Sequence, residues 1–108
     1  MSEALARKMR EIRLRYRAAL SERLDEIDAR MGGTAPGDAK IASVHRILHE
    51  LYGTAGTIGD RDVAAALNQA YAIAEACAHD ARAASEAEAA ALSDAVLRVR
   101  RLAEIPLV

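Results

Sequence analysis

Residues 44–59 read V-H-R-I-L-H-E-L-Y-G-T-A-G-T-I-G, and the spacing inside this stretch decides the fold. Val44, Leu48, Leu51, Ala55 and Ile58, led by Ile41, recur at steps of three and four. That period places them on one side of an α-helix as a stripe to be buried. At about 100° per residue, His45, His49, Tyr52, Gly53 and Gly56 line an adjoining side, outside the buried seam. A helix with one apolar stripe needs other helices to cover it, so the rest of the chain must supply them.

Working outward, the segment before this helix holds Gly32-Gly33 and T-A-P-G-D, a cluster of chain breakers. Asp38 is placed to cap the helix, predicted over about residues 38–58, and Gly59 to end it. Asp60 is then a suitable cap for a helix over about 61–82 that buries Val63, Leu67, Ala70, Ala74, Cys77 and Ala81. Ser85 with Glu88 three residues on is a capping-box signature. It opens a helix over about 86–104 with Leu92, Val96, Val99 and Ala103 inward, stopped before Pro106 and followed by a short tail, Ile105 to Val108. At the other end, Ser2 can cap a helix reaching about Met31, with Leu5, Met9, Ile12, Tyr16, Ala19, Leu20 and Ile27 on one side. Arg7, Lys8, Arg10, Arg13, Arg15 and Arg17 fill most of its remaining circumference. A basic amphipathic helix suits nucleic acid or an anionic membrane. Here Glu22, Asp25, Glu26 and Asp28 restore the balance, and the apolar side lacks bulky aromatics, so the cations read as a solvated outer face.

Four helices joined by short connections predict an all-α, up-and-down antiparallel four-helix bundle, one domain over residues 1–108. Composition agrees. The 108 residues suffice for one modest core, and 52% hydrophobic with 29% charged residues is a soluble globular balance. Alanine, the best helix former, dominates; Phe and Trp are absent, and the only aromatics are Tyr16, Tyr52 and Tyr71. A net charge of −1 argues against a general nucleic-acid binder. Cys77 is the only cysteine, so no internal disulfide can form and a reducing compartment is expected. No apolar run approaches the ~20 residues that span a bilayer, and M-S-E-A-L-A-R-K lacks a signal-peptide core. A cytoplasmic protein without a membrane partner is therefore expected, and Met1 with no linker reads as a free-standing one.

Gly53 and Gly56 are unexpected in an alanine-rich helix, because each costs about 1 kcal/mol relative to alanine. Two explanations fit. They provide clearance for another protein to bring a reacting atom within roughly 3 Å of the His49 ring. Or they permit close helix–helix packing or a weakened helix end.

The stretch H-E-L-Y-G-T-A-G-T-I-G, His49 to Gly59, resembles the signature of histidine-containing phosphotransfer (HPt) domains, H-x-L-K-G-x-A-x-x-x-G. His49, Leu51, Gly53, Ala55 and Gly59 match, and Gly56-Thr57 is a common filling between them. The resemblance implies a four-helix bundle with the phosphoacceptor, His49, on the second helix. It further implies a phosphorelay protein of two-component signalling that exchanges a phosphoryl group with receiver-domain aspartates. Its partners would be response-regulator receivers or hybrid histidine kinases, met transiently by a monomer. One position departs: the family usually has lysine where Tyr52 stands. A phenol offers one hydrogen bond and no charge at neutral pH, which leaves Arg46 or His45 to meet the phosphate.

The chemistry suits the residue. A neutral imidazole is a competent nucleophile near pH 7, its unperturbed pKa being about 6.5. Phosphoryl transfer also needs the equatorial oxygens neutralised, usually by a metal ion and a cation. No acidic pocket for Mg2+ and no glycine-rich nucleotide loop followed by lysine is evident, so the Mg2+ is expected in the receiver and no cofactor here. The domain reads as a carrier and not as an enzyme by itself. Ala42, His45, Arg46, Tyr52, Gly53 and Gly56 are the expected phosphate or partner contacts around His49. His45 is the alternative acceptor, but the glycines are in register with His49. A zinc site from His45, His49, Cys77 and His79 is disfavoured, since Cys77 lies on a buried stripe and nothing makes four ligands converge. A kinase dimerisation segment usually follows H-E-L with a basic residue and proline, and here Tyr52-Gly53-Thr54 follows. The alternative of another class is a non-catalytic helical scaffold or regulator that binds a receiver or kinase through a degenerate motif.

Overall fold

The computed structural model describes residues 2–32 and 37–105. The expected turn at 33–36, the stop at Pro106 and the rest of the tail lie outside the described residues, as does the side chain of Asp38, the expected cap. Four α-helices account for nearly all of what is described: α1 Glu3–Gly32, α2 Gly37–Thr57, α3 Arg61–His79 and α4 Glu86–Glu104. Among the described residues there is no β-strand.

The helix ends follow from local chemistry. The Leu5 N–H donates to Ser2 Oγ at 3.1 Å, which satisfies one of the free donors opening α1. After α2, Gly59 takes a left-handed φ of 75°. Its N–H reaches the Gly56 carbonyl, and the Asp60 N–H reaches that of Ala55 at 3.0 Å, a Schellman closure. The same closure ends α3, with Ala81 at φ 50° and the Arg82 N–H on the Cys77 carbonyl at 3.1 Å. Helix α3 therefore stops at His79, not near Arg82, and Ala81 is exposed instead of buried. The capping box of α4 forms in both directions: the Glu88 N–H donates to Ser85 Oγ at 3.1 Å, and the Ser85 N–H donates to Glu88 Oε1 at 3.0 Å.

Helix contacts run α1 to α2, α2 to α3, α3 to α4 and α4 back to α1. The core they enclose includes the expected Ile41, Val44, Leu48, Leu51 and Ala55 of α2, and Val63, Leu67, Ala70, Ala74 and Cys77 of α3. Leu92, Val96 and Val99 fill it from α4, Leu20 and Ile27 from α1. Leu24, Ile47, Ala66 and Ala95 join as further core members that simple spacing passed over. Ile58 and Ala103 are only half-buried, whereas Leu5 and Ala19 are exposed.

Two features of α1 depart from the expected amphipathic helix. Its 30 residues exceed the 19–21 of the others, and every buried side chain lies at Arg17 or beyond. The leading turns overhang the bundle, which measures 49 × 22 × 19 Å. The second departure is Arg17 itself, expected on the solvated face and found buried. Its guanidinium meets both Asp60 carboxylate oxygens at 2.8 Å and donates to the carbonyls of Leu102 at 2.8 Å and Ile105 at 3.1 Å. Asp60 in turn caps nothing with its side chain; the carboxylate is committed to Arg17. A buried charge pair holds only when its remaining hydrogen-bonding positions are filled, and here they are.

Candidate functional site

Helix α2 is covered on two sides. From α1, the Tyr16 hydroxyl donates to the Leu51 carbonyl at 2.6 Å, and the Arg23 guanidinium meets Glu50 at 2.6 Å. From α3 comes Tyr71. Between them runs an open strip of Ala42, Arg46, His49, Gly53 and Gly56, all exposed. Of these, His49, Gly53 and Gly56 belong to the side that helical periodicity set outside the buried seam. Tyr52 is 37% exposed, and the His45 side chain, nearer α3, only 28%.

Of the explanations offered for the glycines, close packing against another helix of this chain can be tested directly. A Cβ built on Gly53 or on Gly56 would meet nothing within 4 Å. Neither position accommodates a neighbouring helix of this chain, so intramolecular close packing does not account for them. They leave the surface beside His49 bare over two turns. The Thr57 hydroxyl donates to the Gly53 carbonyl at 2.9 Å, a local bond that helps hold the last turn in the absence of a side chain at 53.

Tyr71 is the residue that sequence reading missed. Its ring lies 5.2 Å from the His45 ring, 5.7 Å from that of His49 and 5.8 Å from that of Tyr52, the last pair nearly parallel at 7°. These are ordinary separations for aromatic contact. The two imidazoles stand 6.5 Å apart. One turn along α3, the Glu75 carboxylate bonds the Nε2 of His45. The bond with His45, and after it the nearby Tyr71 hydroxyl, hold Glu75 below its ordinary carboxylate range. The Glu75 carboxylate in turn pushes the Tyr71 phenol up. The i, i+4 placement of Tyr71 and Glu75, around the only phenol in α3, was the available signal.

The other residues expected at the site fall into different surroundings. Among the described residues Arg46 makes no ion pair, which leaves a cation on the open strip beside His49. Tyr52 is stacked against Tyr71 and supplies a phenol where a charge is usual for the resembling motif. Cys77 is buried, its Sγ 3.4 Å from Glu88 Oε2, and burial followed by that carboxylate raises its pKa. His79 is exposed at the end of α3. Among the described residues no three or more His, Cys, Asp or Glu side chains converge in a way that could hold a metal ion, and no helix is long and apolar enough to cross a membrane.

Compared with family models, curated proteins and solved structures, the chain gives no match in any of the three. The open strip of α2 with its two glycines, and the Tyr71 ring that α3 lays against His45, His49 and Tyr52, define the candidate site.

Proposed function

We propose that this protein is a histidine phosphocarrier of the HPt type, with His49 as the phosphoacceptor on the second helix of an up-and-down antiparallel bundle. The observation that carries the reading is the exposed His49 beside two helical glycines whose missing side chains would point into open space. The direction of the helices is supported by their cross-links. Residues rising along α1, Tyr16, Arg23 and Arg30, meet falling numbers on α2, Leu51, Glu50 and Ser43.

The reaction needs little from the carrier. A nitrogen lone pair of the His49 ring attacks the phosphorus of a receiver's aspartyl phosphate. The N–P bond forms as the aspartyl O–P bond breaks, and the carboxylate departs with the bonding pair. The proton on the other ring nitrogen can then leave to water. The receiver contributes Mg2+ and its acidic pocket; this chain contributes an accessible nucleophile, clearance for close approach, and in Arg46 a nearby cation that makes no ion pair among the described residues. The protein acts as a cytoplasmic monomer in this reading, without ATP or a metal of its own. Ala42, Tyr52, Gly53 and Gly56 frame the contact.

A scaffold that binds a receiver without accepting phosphate is the second reading, favoured by Tyr52 in place of the usual lysine. Incubation with phosphorylated receiver domains separates the two. The carrier acquires an acid-labile, alkali-stable label that disappears in His49→Ala. A wild-type protein that binds the receiver yet stays unlabelled belongs to the scaffold reading, and a His49→Ala protein that labels normally removes His49 from the site.

A further inference from the structure

Two imidazoles, His45 and His49, stand one helical turn apart on α2, and their surroundings differ in one decisive respect. The Nε2 of His45 is bonded to the Glu75 carboxylate, and Tyr71 covers a face of the ring at 5.2 Å. A carboxylate has only lone pairs to offer, so a ring nitrogen that bonds it must carry the proton. That nitrogen has no free pair with which to attack phosphorus. His49 has no such bond among the described residues and opens onto the bare strip at Gly53 and Gly56.

Resting on the phosphocarrier reading, we propose that Glu75 is a specificity-determining residue: by engaging Nε2 of His45 it withholds that nitrogen from phosphorylation and leaves His49 as the imidazole of α2 whose Nε2 is open to the donor. Glu75 touches neither the phosphoryl group nor His49, and it acts through His45. The other groups around His45 are consistent with this assignment. His49 and Arg46 on α2 carry no carboxylate that could compete for the ring, and Glu75 feels His45 from α2 and His79 from its own helix.

Potassium phosphoramidate, a small phosphodonor, tests this without a partner protein. A histidine nitrogen attacks its phosphorus, the N–P bond to imidazole forms, the bond to the amino group breaks, and ammonia leaves. His79 is exposed and serves as the internal reference. Site-resolved mass spectrometry under alkaline, non-acidic handling, with 31P NMR to tell the two ring nitrogens apart, would read labelling at Nε2 as the ratios His45:His79 and His49:His79. In the wild type, His45 is expected to label at least tenfold less than His79. In Glu75→Ala the His45:His79 ratio should rise about tenfold, with His49:His79 unchanged. Alanine is the best helix former, and Glu75 is half-exposed, so α3 should persist, with a helical signal equal to the wild type's as the check. An unchanged His45:His79 ratio in Glu75→Ala, or equal labelling of His45 and His79 in the wild type, overturns the proposal. Tyr71→Phe supplies the second arm: it keeps the ring and the Glu75–His45 bond, so His45 should stay unlabelled, and labelling there would shift the role from Glu75 to the phenol. Failure of the carrier reading shows elsewhere, as absence of transfer from a phosphorylated receiver to His49, and leaves these chemical ratios untouched.

Discussion

Ala81 is the one residue other than glycine with a positive φ among the described residues, 50°, at a Schellman closure that usually employs glycine. A Cβ in that conformation costs roughly 1–2 kcal/mol. Ala81→Gly should therefore raise the stability of the protein by about 1 kcal/mol, read as a higher urea midpoint at unchanged slope. The opposite logic applies at Gly53. Since nothing lies within 4 Å of a Cβ there, Gly53→Ala should stabilise by about 0.5–1 kcal/mol through helix propensity alone. Gly53→Leu should leave the helical signal nearly intact yet block phosphotransfer from a receiver, because the added side chain occupies the approach to His49. Full transfer by Gly53→Leu would remove clearance as the reason for the glycine. Such positions were legible in the sequence to different degrees. The two helical glycines stood out by type, whereas the strain at Ala81 depended on where α3 stops, and alanine gives no sign of that.

At the level of whole elements, the fourth helix is held at its start by Glu88, which closes the capping box and meets Arg82 at 2.6 and 2.9 Å. The Arg82 guanidinium, then the Ser85 N–H, hold the Glu88 carboxyl well below its ordinary value of 4.5. A depressed carboxyl binds fewer protons in the folded state, so its contribution is present above pH 4.5 and is lost as pH falls below it. Acid titration of wild type against Glu88→Gln should show the wild type losing more stability below about pH 4.5, with the two curves converging in acid. The elements themselves were readable: the stripe from Ile41 to Ala55, the capping box and the stop at Gly59 are local patterns, complete within one helix. What crosses between helices was not. Arg17 read as one more solvated cation because its partner, Asp60, lies 43 residues away and looked like a helix cap. Tyr71 and Glu75 escaped notice for the same reason, since only the register of α3 against α2 places them beside the histidines. Leu24 and Ile47 entered the core because α1 and α2 each bury a wider arc than a single seam.

Across the whole molecule, the Arg17–Asp60 pair joins the middle of α1 to the α2–α3 turn and, through two carbonyls, to the end of α4. Asp60→Ala leaves the buried guanidinium without its counter-ion and should cost about 3–5 kcal/mol. The double variant Arg17→Met/Asp60→Ala should cost less than the sum of its parts by ~1–3 kcal/mol, measured as a double-mutant cycle in urea. Removal of residues 2–8, by contrast, should cost under about 1 kcal/mol, since those side chains are all exposed. The position of Arg17's partners also sets a timetable. A ribosome delivers the guanidinium early, its counter-ion 43 residues later, and the last carbonyls 85 and 88 residues later. At about 5–20 residues per second, roughly 4–18 s separate the donor from its final acceptors. Throughout that interval the cation is best left in water. The nascent chain can wind its helices as they emerge, but the step that seals Arg17 inside waits for nearly the whole domain, so assembly ends in a single late closure.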